Sequence, residues 1–297
     1  MHENPREIDI DFWLDKVRAR FVASAPELLP LFSTYRAEAV FGRNYIECDL
    51  GRLRQGARVL EVGAGSLLLS CQLAREGFDV TALEPVGEGF SHFDQMRQLV
   101  LAEARSQGCC PTILDRPAEA LDAVDCFDYA FSVNVMEHVN DVASVLEKVG
   151  KSLAVGASYR FTCPNYLFPY EPHFNIPTFF SKQLTERILR RKIFFSRSVS
   201  DPAGTWKSLN WISVIQINRG VRRLSGLRVT FNRSMLTSTL ERVALDTEFA
   251  GRRSPVIRGF ILMLVRLRIH LLFSFIPAAM QPIIDCRIGK TTNLEAR

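Results

Sequence analysis

Between residues 57 and 163 the chain alternates short apolar runs with longer amphipathic stretches. The pattern predicts strands over 57–62, 78–83, 110–114, 127–133 and 157–163, and helices over 66–76, 90–107 and 141–153. The runs are nearly continuous in apolar residues, as parallel strands covered on both faces must be. Strand and helix in strict alternation predict an α/β fold with a doubly wound, mostly parallel sheet. Two helices precede it, over 8–23 and 27–48, the first with an apolar stripe of Phe12, Trp13, Val17 and Phe21. After it, 234–245 reads as an amphipathic helix, with a strand expected near 247–252.

Val59-Leu60-Glu61-Val62-Gly63-Ala64-Gly65 is the most informative stretch. An apolar strand carrying one acid runs into a glycine turn, and a helix follows. This is the first crevice of a doubly wound sheet, where glycines let a nucleotide approach the backbone. Leu68 stands where a dinucleotide fingerprint needs a third glycine or alanine. Glu61, two residues before the turn, suits a cationic, amine-bearing ligand. Glu84 closes the next strand about 20 residues after the turn, the position from which an acid takes ribose hydroxyls.

The Glu-x-Gly-x-Gly pattern resembles motif I of the class I S-adenosylmethionine-dependent methyltransferases. Phe127-Asp128 opening the fourth strand and Glu137-His138-Val139 opening the next helix are similar to that family's later markers. The resemblance covers about 57–163 and 226–255. It implies S-adenosyl-L-methionine as cofactor, held by Glu61, Gly63, Ala64, Gly65, Glu84, Pro85, Ala118, Glu119 and Asn134. Pro117 replaces an acid often found in the family's adenine loop, leaving backbone amides at Ala118 or Glu119 to serve adenine. The leading helices commonly cover the cofactor in this family, which makes Tyr35, Phe41 and Tyr45 candidates to touch it, beside a core role for each. Some relatives carry Glu-x-x-Glu-His at the helix after the fourth strand and bind a divalent cation. Here the first carboxylate is Asn134, so no metal is expected.

The reading divides the chain into an N-terminal helical cap (1–50), a cofactor-binding core (51–163), a basic aromatic substrate insertion (164–225) and a core completion with an apolar amphipathic helix (226–297). The insertion opens with four prolines and several aromatics over 164–177, a rigid loop rather than a helix. It contains Tyr170, Glu171 and His173. Methyl transfer to oxygen usually needs a general base. His173 is the first candidate, with Glu171 and Tyr170 to orient it. His138 is the second, with a backbone-bonded place at a helix start as its structural alternative.

Net charge is +5 overall, but residues 1–181 carry −9 and 182–297 carry +14. That asymmetry points to an anionic partner. Phe194, Phe195 and Trp211 mix with the basic residues, and 256–284 is the most apolar region. Arg266 and Arg268 near its middle make a spanning helix costly. An interfacial helix near 259–276 is expected, docking with 182–233 on anionic lipid, with a buried or dimerising helix as the alternative. Met1–Arg20 is charged and lacks an apolar leader segment, and the seven cysteines form no Cys-x-x-Cys pair. Free thiols and a cytoplasmic enzyme, peripheral at the inner membrane face, follow. The expected reaction is O-methylation of an amphipathic or lipid-linked acceptor. An RNA methyltransferase, or a non-catalytic cofactor-binding module of a membrane complex, is the alternative.

Overall fold

The computed structural model describes residues 9–85, 91–197, 199, 201–245, 250–251 and 255–291. The chain folds as two compact units, Met1–Val135 with Ser144–Arg160 and Gly289–Arg297, and Met136–Ala143 with Phe161–Ile288.

The first unit begins with helices α1 (Ile10–Ser24) and α2 (Leu29–Leu50). Asp9 caps α1, which buries Trp13, Leu14, Val17 and Phe21 along one stripe. Then come β1 (Arg58–Val62), α3 (Leu68–Arg75), β2 (Asp79–Leu83), α4 (Ser91–Ser106), β3 (Thr112–Leu114), β4 (Phe127–Val133), α5 (Val142–Ser152) and β5 (Leu153–Pro164). Strand β1 pairs in parallel with β2 and β4, and β2 with β3. Val59, Leu60 and Val62 are buried because β1 is central and covered on both faces.

Two side-chain anchors fix the leading helices. The Trp13 indole N–H donates to the Leu68 carbonyl at 3.0 Å, tying α1 to the start of α3. Arg160 donates to the Tyr45 carbonyl at 2.8 Å and to Asp49 at 3.0 Å, and its guanidinium lies 4.1 Å from the Tyr45 ring centre. Tyr45 is therefore occupied as a packing residue.

The second unit holds the turn Met136-Glu137-His138 and a two-strand antiparallel hairpin, β6 (Tyr170–Glu171) with β7 (Ile176–Pro177). It continues through α6 (Lys182–Phe194), α7 (Pro202–Ser208), α8 (Val214–Val221), β8 (Leu227–Phe231), α9 (Met235–Leu245) and α10 (Pro255–Arg266). A 3₁₀ segment, Ile269–Phe275, precedes β9 (Ile283–Lys290). The sheet order is β3-β2-β1-β4-β5-β9-β8, seven strands and mostly parallel. Strands β5 and β9 each contribute residues to both units.

Three expectations are corrected. Of the strand expected near 247–252, only Ala250 and Gly251 are among the described residues, and both are helical; the remaining sheet positions are filled by β8 and β9. The apolar run 259–276 is not one helix. Arg268 takes a left-handed φ of 58°, which stops α10 and starts the 3₁₀ segment. His138 lies in a turn, four residues before α5, rather than at a helix start. Among the described residues no helix is long and apolar enough to cross a membrane. All seven cysteines are free.

Candidate functional site

In the first unit the turn after β1 is built by alternating handedness. Gly63, Gly65 and Leu67 have φ of 76°, 50° and 67°. The amides of Gly63 and Ala64 both point to the Leu83 carbonyl, at 2.7 and 3.3 Å. A Cβ on Gly63 would meet Val135 at 2.3 Å, so only glycine lets the chain leaving β4 pass over the turn. Asn134, at that exit, is exposed and holds φ of 56°, a conformation asparagine tolerates better than most residues.

Two carboxylates face this turn. Glu61 is buried and accepts from the Ser70 hydroxyl. Burial is the main reason its pKa is pushed up to about 8, against the Ser70 hydrogen bonds and with help from the Glu84 charge. Glu84 accepts the Gly65 amide at 3.0 Å. Its other oxygen lies 3.6 Å from an Arg97 guanidinium nitrogen, while Arg97 Nε donates to the Gly65 carbonyl at 2.8 Å. Arg97 thus clamps acid and turn together. Burial lifts the Glu84 pKa, and the Gly65 amide and Arg97 oppose the rise. The Tyr35 hydroxyl is pushed up to about 12 by burial first, then by Glu38 and Glu84, so this residue of α2 sits in the field of the same acid. Pro85 follows Glu84 and is exposed; Ala118 and Glu119 lie in a 3₁₀ turn with Ala118 buried. Sequence alone did not find Arg97, because a single arginine within a helix such as α4 carries no motif.

In the second unit the hairpin organises the other candidates. Glu171 is fully buried. One oxygen accepts the His173 amide at 3.1 Å, the Tyr166 hydroxyl at 3.3 Å and the His173 ring at 2.6 Å. The other accepts the Phe174 amide at 2.7 Å. An acceptor at Nδ1 makes that nitrogen the donor and leaves Nε2 as the imidazole's lone-pair face. The Tyr170 hydroxyl donates to Asn175 across the same hairpin.

The His138 and His173 rings meet edge to face at 5.3 Å. His138 Nδ1 lies 2.8 Å from the Ser208 hydroxyl rather than on the backbone. Burial, then the His173 charge, lowers its pKa to about 4, so it is neutral at physiological pH. Ligand atoms of Glu137, His138 and His173 all lie within 4.8 Å of one another. One carboxylate and two imidazoles form a donor set that fits a borderline transition ion better than a hard cation. Behind the hairpin Trp206 packs edge-on against Phe174 and Trp211, at 5.7 and 5.6 Å, and Trp211 stacks on Tyr166 at 4.3 Å.

A family model described as a methyltransferase domain matches residues 37–187. The chain is 49% identical over 281 residues to the uncharacterized protein Rv1509 of Mycobacterium tuberculosis, covering 95% of each. It is 30% identical over 152 residues to the ubiquinone biosynthesis O-methyltransferase of Psychrobacter cryohalolentis, a match spanning 48% of this chain and 55% of that one. Among solved structures it is similar to a phosphoethanolamine N-methyltransferase of Haemonchus contortus in complex with S-adenosyl-L-methionine (TM-score 0.49, 14% identity, 84% of this chain and 52% of that one). An S-adenosylmethionine-dependent methyltransferase of Mesorhizobium loti is also similar (TM-score 0.47, 17% identity, 79% and 91%). With its glycine turn, paired acids and matched domain, the chain belongs to the methyltransferase-domain family, among the class I S-adenosylmethionine-dependent methyltransferases.

Proposed function

We propose that the chain transfers a methyl group from S-adenosylmethionine to a hydroxyl of an amphipathic or lipid-linked acceptor, met at the cytoplasmic membrane face. The observation that carries the oxygen acceptor is the Glu171–His173 pair, held at 2.6 Å with the carboxylate fully buried. Bound cofactor supplies a methyl group already activated on a sulfonium. What the protein must add is alignment and a place for the acceptor's proton.

In this reading Glu61 and the Gly63-Ala64-Gly65 turn receive the amine-bearing end of the cofactor. Glu84, with Arg97 behind it, takes the ribose hydroxyls; Pro85 and Asn134 line the turn, and the Ala118 and Glu119 amides serve adenine. His173 Nε2 would take the hydroxyl proton as the acceptor oxygen bonds the methyl carbon and the carbon–sulfur bond breaks, its electron pair returning to sulfur, so that a methyl ether and the demethylated thioether result. Glu171 holds the ring and stabilises the resulting imidazolium. Neutral His138 packs edge-on against His173 and limits its rotation.

The clustering of Glu137, His138 and His173 within 4.8 Å favours a second reading. Those three side chains would hold a divalent ion, which would supply Lewis acidity toward the acceptor oxygen. The two readings separate on chelation: turnover that survives a chelator and shows no bound metal supports His173 as base, and turnover restored by a transition ion alone supports the second.

The acceptor class is tested by incubating the protein with labelled methyl donor and cell lipid, glycan and RNA fractions. Label entering a lipid-extractable product as a methyl ether is expected. Label confined to RNA would overturn the acceptor reading in favour of a nucleic-acid substrate. Binding of the cofactor without transfer to any fraction would favour a non-catalytic module.

A further inference from the structure

Helix α10 presents apolar side chains on its outward as well as its inward side. Its inward side places Ile261 against Val243 and Ala250, with Val265 and Leu240 packed on them. Its outward side carries Val256, Phe260 and Met263, at helical spacings of four and three, exposed by 82%, 57% and 46%. The pattern continues past the break at Arg268. A 3₁₀ helix eclipses every third residue, so Ile269, Leu272 and Phe275 share one edge, and all three are exposed.

This edge is held in place from behind. His270, the buried residue of the segment, bonds the Glu241 carboxylate at 3.0 Å and approaches the Leu264 carbonyl at 3.3 Å. Thr237 donates to the His270 carbonyl, and Gln281 donates to the carbonyls of Phe273 and Ile276. The outward apolar row is thus pre-ordered, not a loose segment awaiting a core. Isolated exposed apolar residues are ordinary, but two consecutive helical rows of them mark an interaction surface.

Charge selects the occupant. Residues 249–284 contain five arginines and no aspartate or glutamate. Arg258, Arg266 and Arg268 are exposed among the apolar side chains, and α6 of the same unit exposes Arg187, Arg190, Arg191 and Lys192. Two copies of such a surface would meet with like charges. An anionic lipid surface offers apolar depth and opposite charge together, with arginine stems lying along the apolar row and heads reaching phosphates.

We infer that the outward faces of α10 and Ile269–Phe275 form a peripheral docking surface for anionic membrane lipid. Phe260, Leu272 and Phe275 enter the interface, and Arg258, Arg266 and Arg268 contact headgroups. This attachment stands whichever acceptor the enzyme takes.

Cosedimentation of the full chain with vesicles of equal parts phosphatidylglycerol and phosphatidylcholine tests it. The wild-type protein should pellet at low salt and far less with phosphatidylcholine alone. Phe260→Ser with Leu272→Ser and Phe275→Ser should lower the partition coefficient by about 100-fold or more, as three large apolar side chains are lost from the interface. Arg258→Glu with Arg266→Glu and Arg268→Glu should lower it by about 100-fold and remove its salt dependence. Every substituted side chain is exposed, so the circular dichroism and Tm of both variants should match wild type. Wild-type protein that stays in the supernatant overturns the inference. So does vesicle binding indifferent to the apolar triple. A wild-type dimer that the apolar triple converts to monomer, without vesicle binding, would assign the face to a second copy of the chain instead.

Discussion

Glu61 and Glu171 are both buried carboxylates beside a tight turn, one in each unit, and their surroundings differ sharply. Glu61 takes its hydrogen bonds from Ser70, and burial drives its pKa up to about 8. Glu171 accepts two backbone amides, a tyrosine hydroxyl and an imidazole. A buried carboxylate with few donors is held in readiness for a cationic ligand, because a charged partner lowers the cost of ionising it. One surrounded by donors has its lone pairs committed and serves to position its neighbour. In the proposed reading the glycine turn is the receiving site, and the hairpin a pre-organised one.

The largest test of that contrast acts on the receiving side. Gly65→Val puts a branched side chain at a left-handed φ of 50°, in the path by which a ligand reaches the turn. Loss of measurable S-adenosylhomocysteine binding by calorimetry is the expected result, with circular dichroism unchanged. Retained affinity would mean that the ligand does not approach this backbone.

On the pre-organised side, His173→Ala should cut turnover by about 100-fold or more, the usual loss for a general base, while cofactor affinity stays near wild type. The split between turnover and binding is the diagnostic. If both fell together, the hairpin would belong to the receiving site, and the contrast between the two carboxylates would fail. Glu84→Ala should do the reverse. It removes the partner of the Gly65 amide and of Arg97, and is expected to weaken S-adenosylhomocysteine by about 1–3 kcal/mol. Arg97→Met should reproduce part of that loss, since Glu84 would keep its charge but lose its clamp.

What the sequence disclosed follows the same division. The receiving site was legible because its parts are local: a buried strand, a glycine turn and a helix follow one another, and Glu84 recurs at a spacing set by one strand–helix–strand unit. Strands β1 and β4 are equally legible, since their burial in the middle of the sheet leaves nearly continuous apolar runs. Along the chain the hairpin shows only as a proline-rich loop with a candidate histidine. Nothing along the chain says that Tyr166 and the amides of His173 and Phe174 converge on Glu171, or that Ser208 meets His138 across 70 residues. Strand β9 leaves little trace in the sequence because it starts inside the apolar stretch 256–284, whose density hides the alternation of Ile284, Cys286 and Ile288 against Arg287. The break at Arg268 was missed because a left-handed arginine leaves no compositional trace.

The smallest effect expected is a pH dependence, and it tests the state of Glu61 directly. With a folded-state pKa of about 8 against an ordinary 4.5, the free protein keeps Glu61 protonated below about pH 8. Two signs follow. The folded state binds this proton more tightly than the unfolded chain, so its contribution to the stability of the free protein is fully present below pH 4.5 and is lost as pH rises toward 8. Binding of an amine-bearing cofactor favours the ionised form, so affinity should rise with pH up to about 8, by at most about tenfold per unit, and level off above it. Calorimetry of S-adenosylhomocysteine in buffers of different ionisation enthalpy should show a proton released on binding at pH 7. Glu61→Gln removes the titrating group and keeps a side chain able to accept from Ser70, so it should abolish both the proton release and the pH slope. A wild-type affinity that is flat between pH 6 and 8 would show that Glu61 stays ionised in the free protein. In that case the two buried carboxylates would not differ in the way their donors suggest.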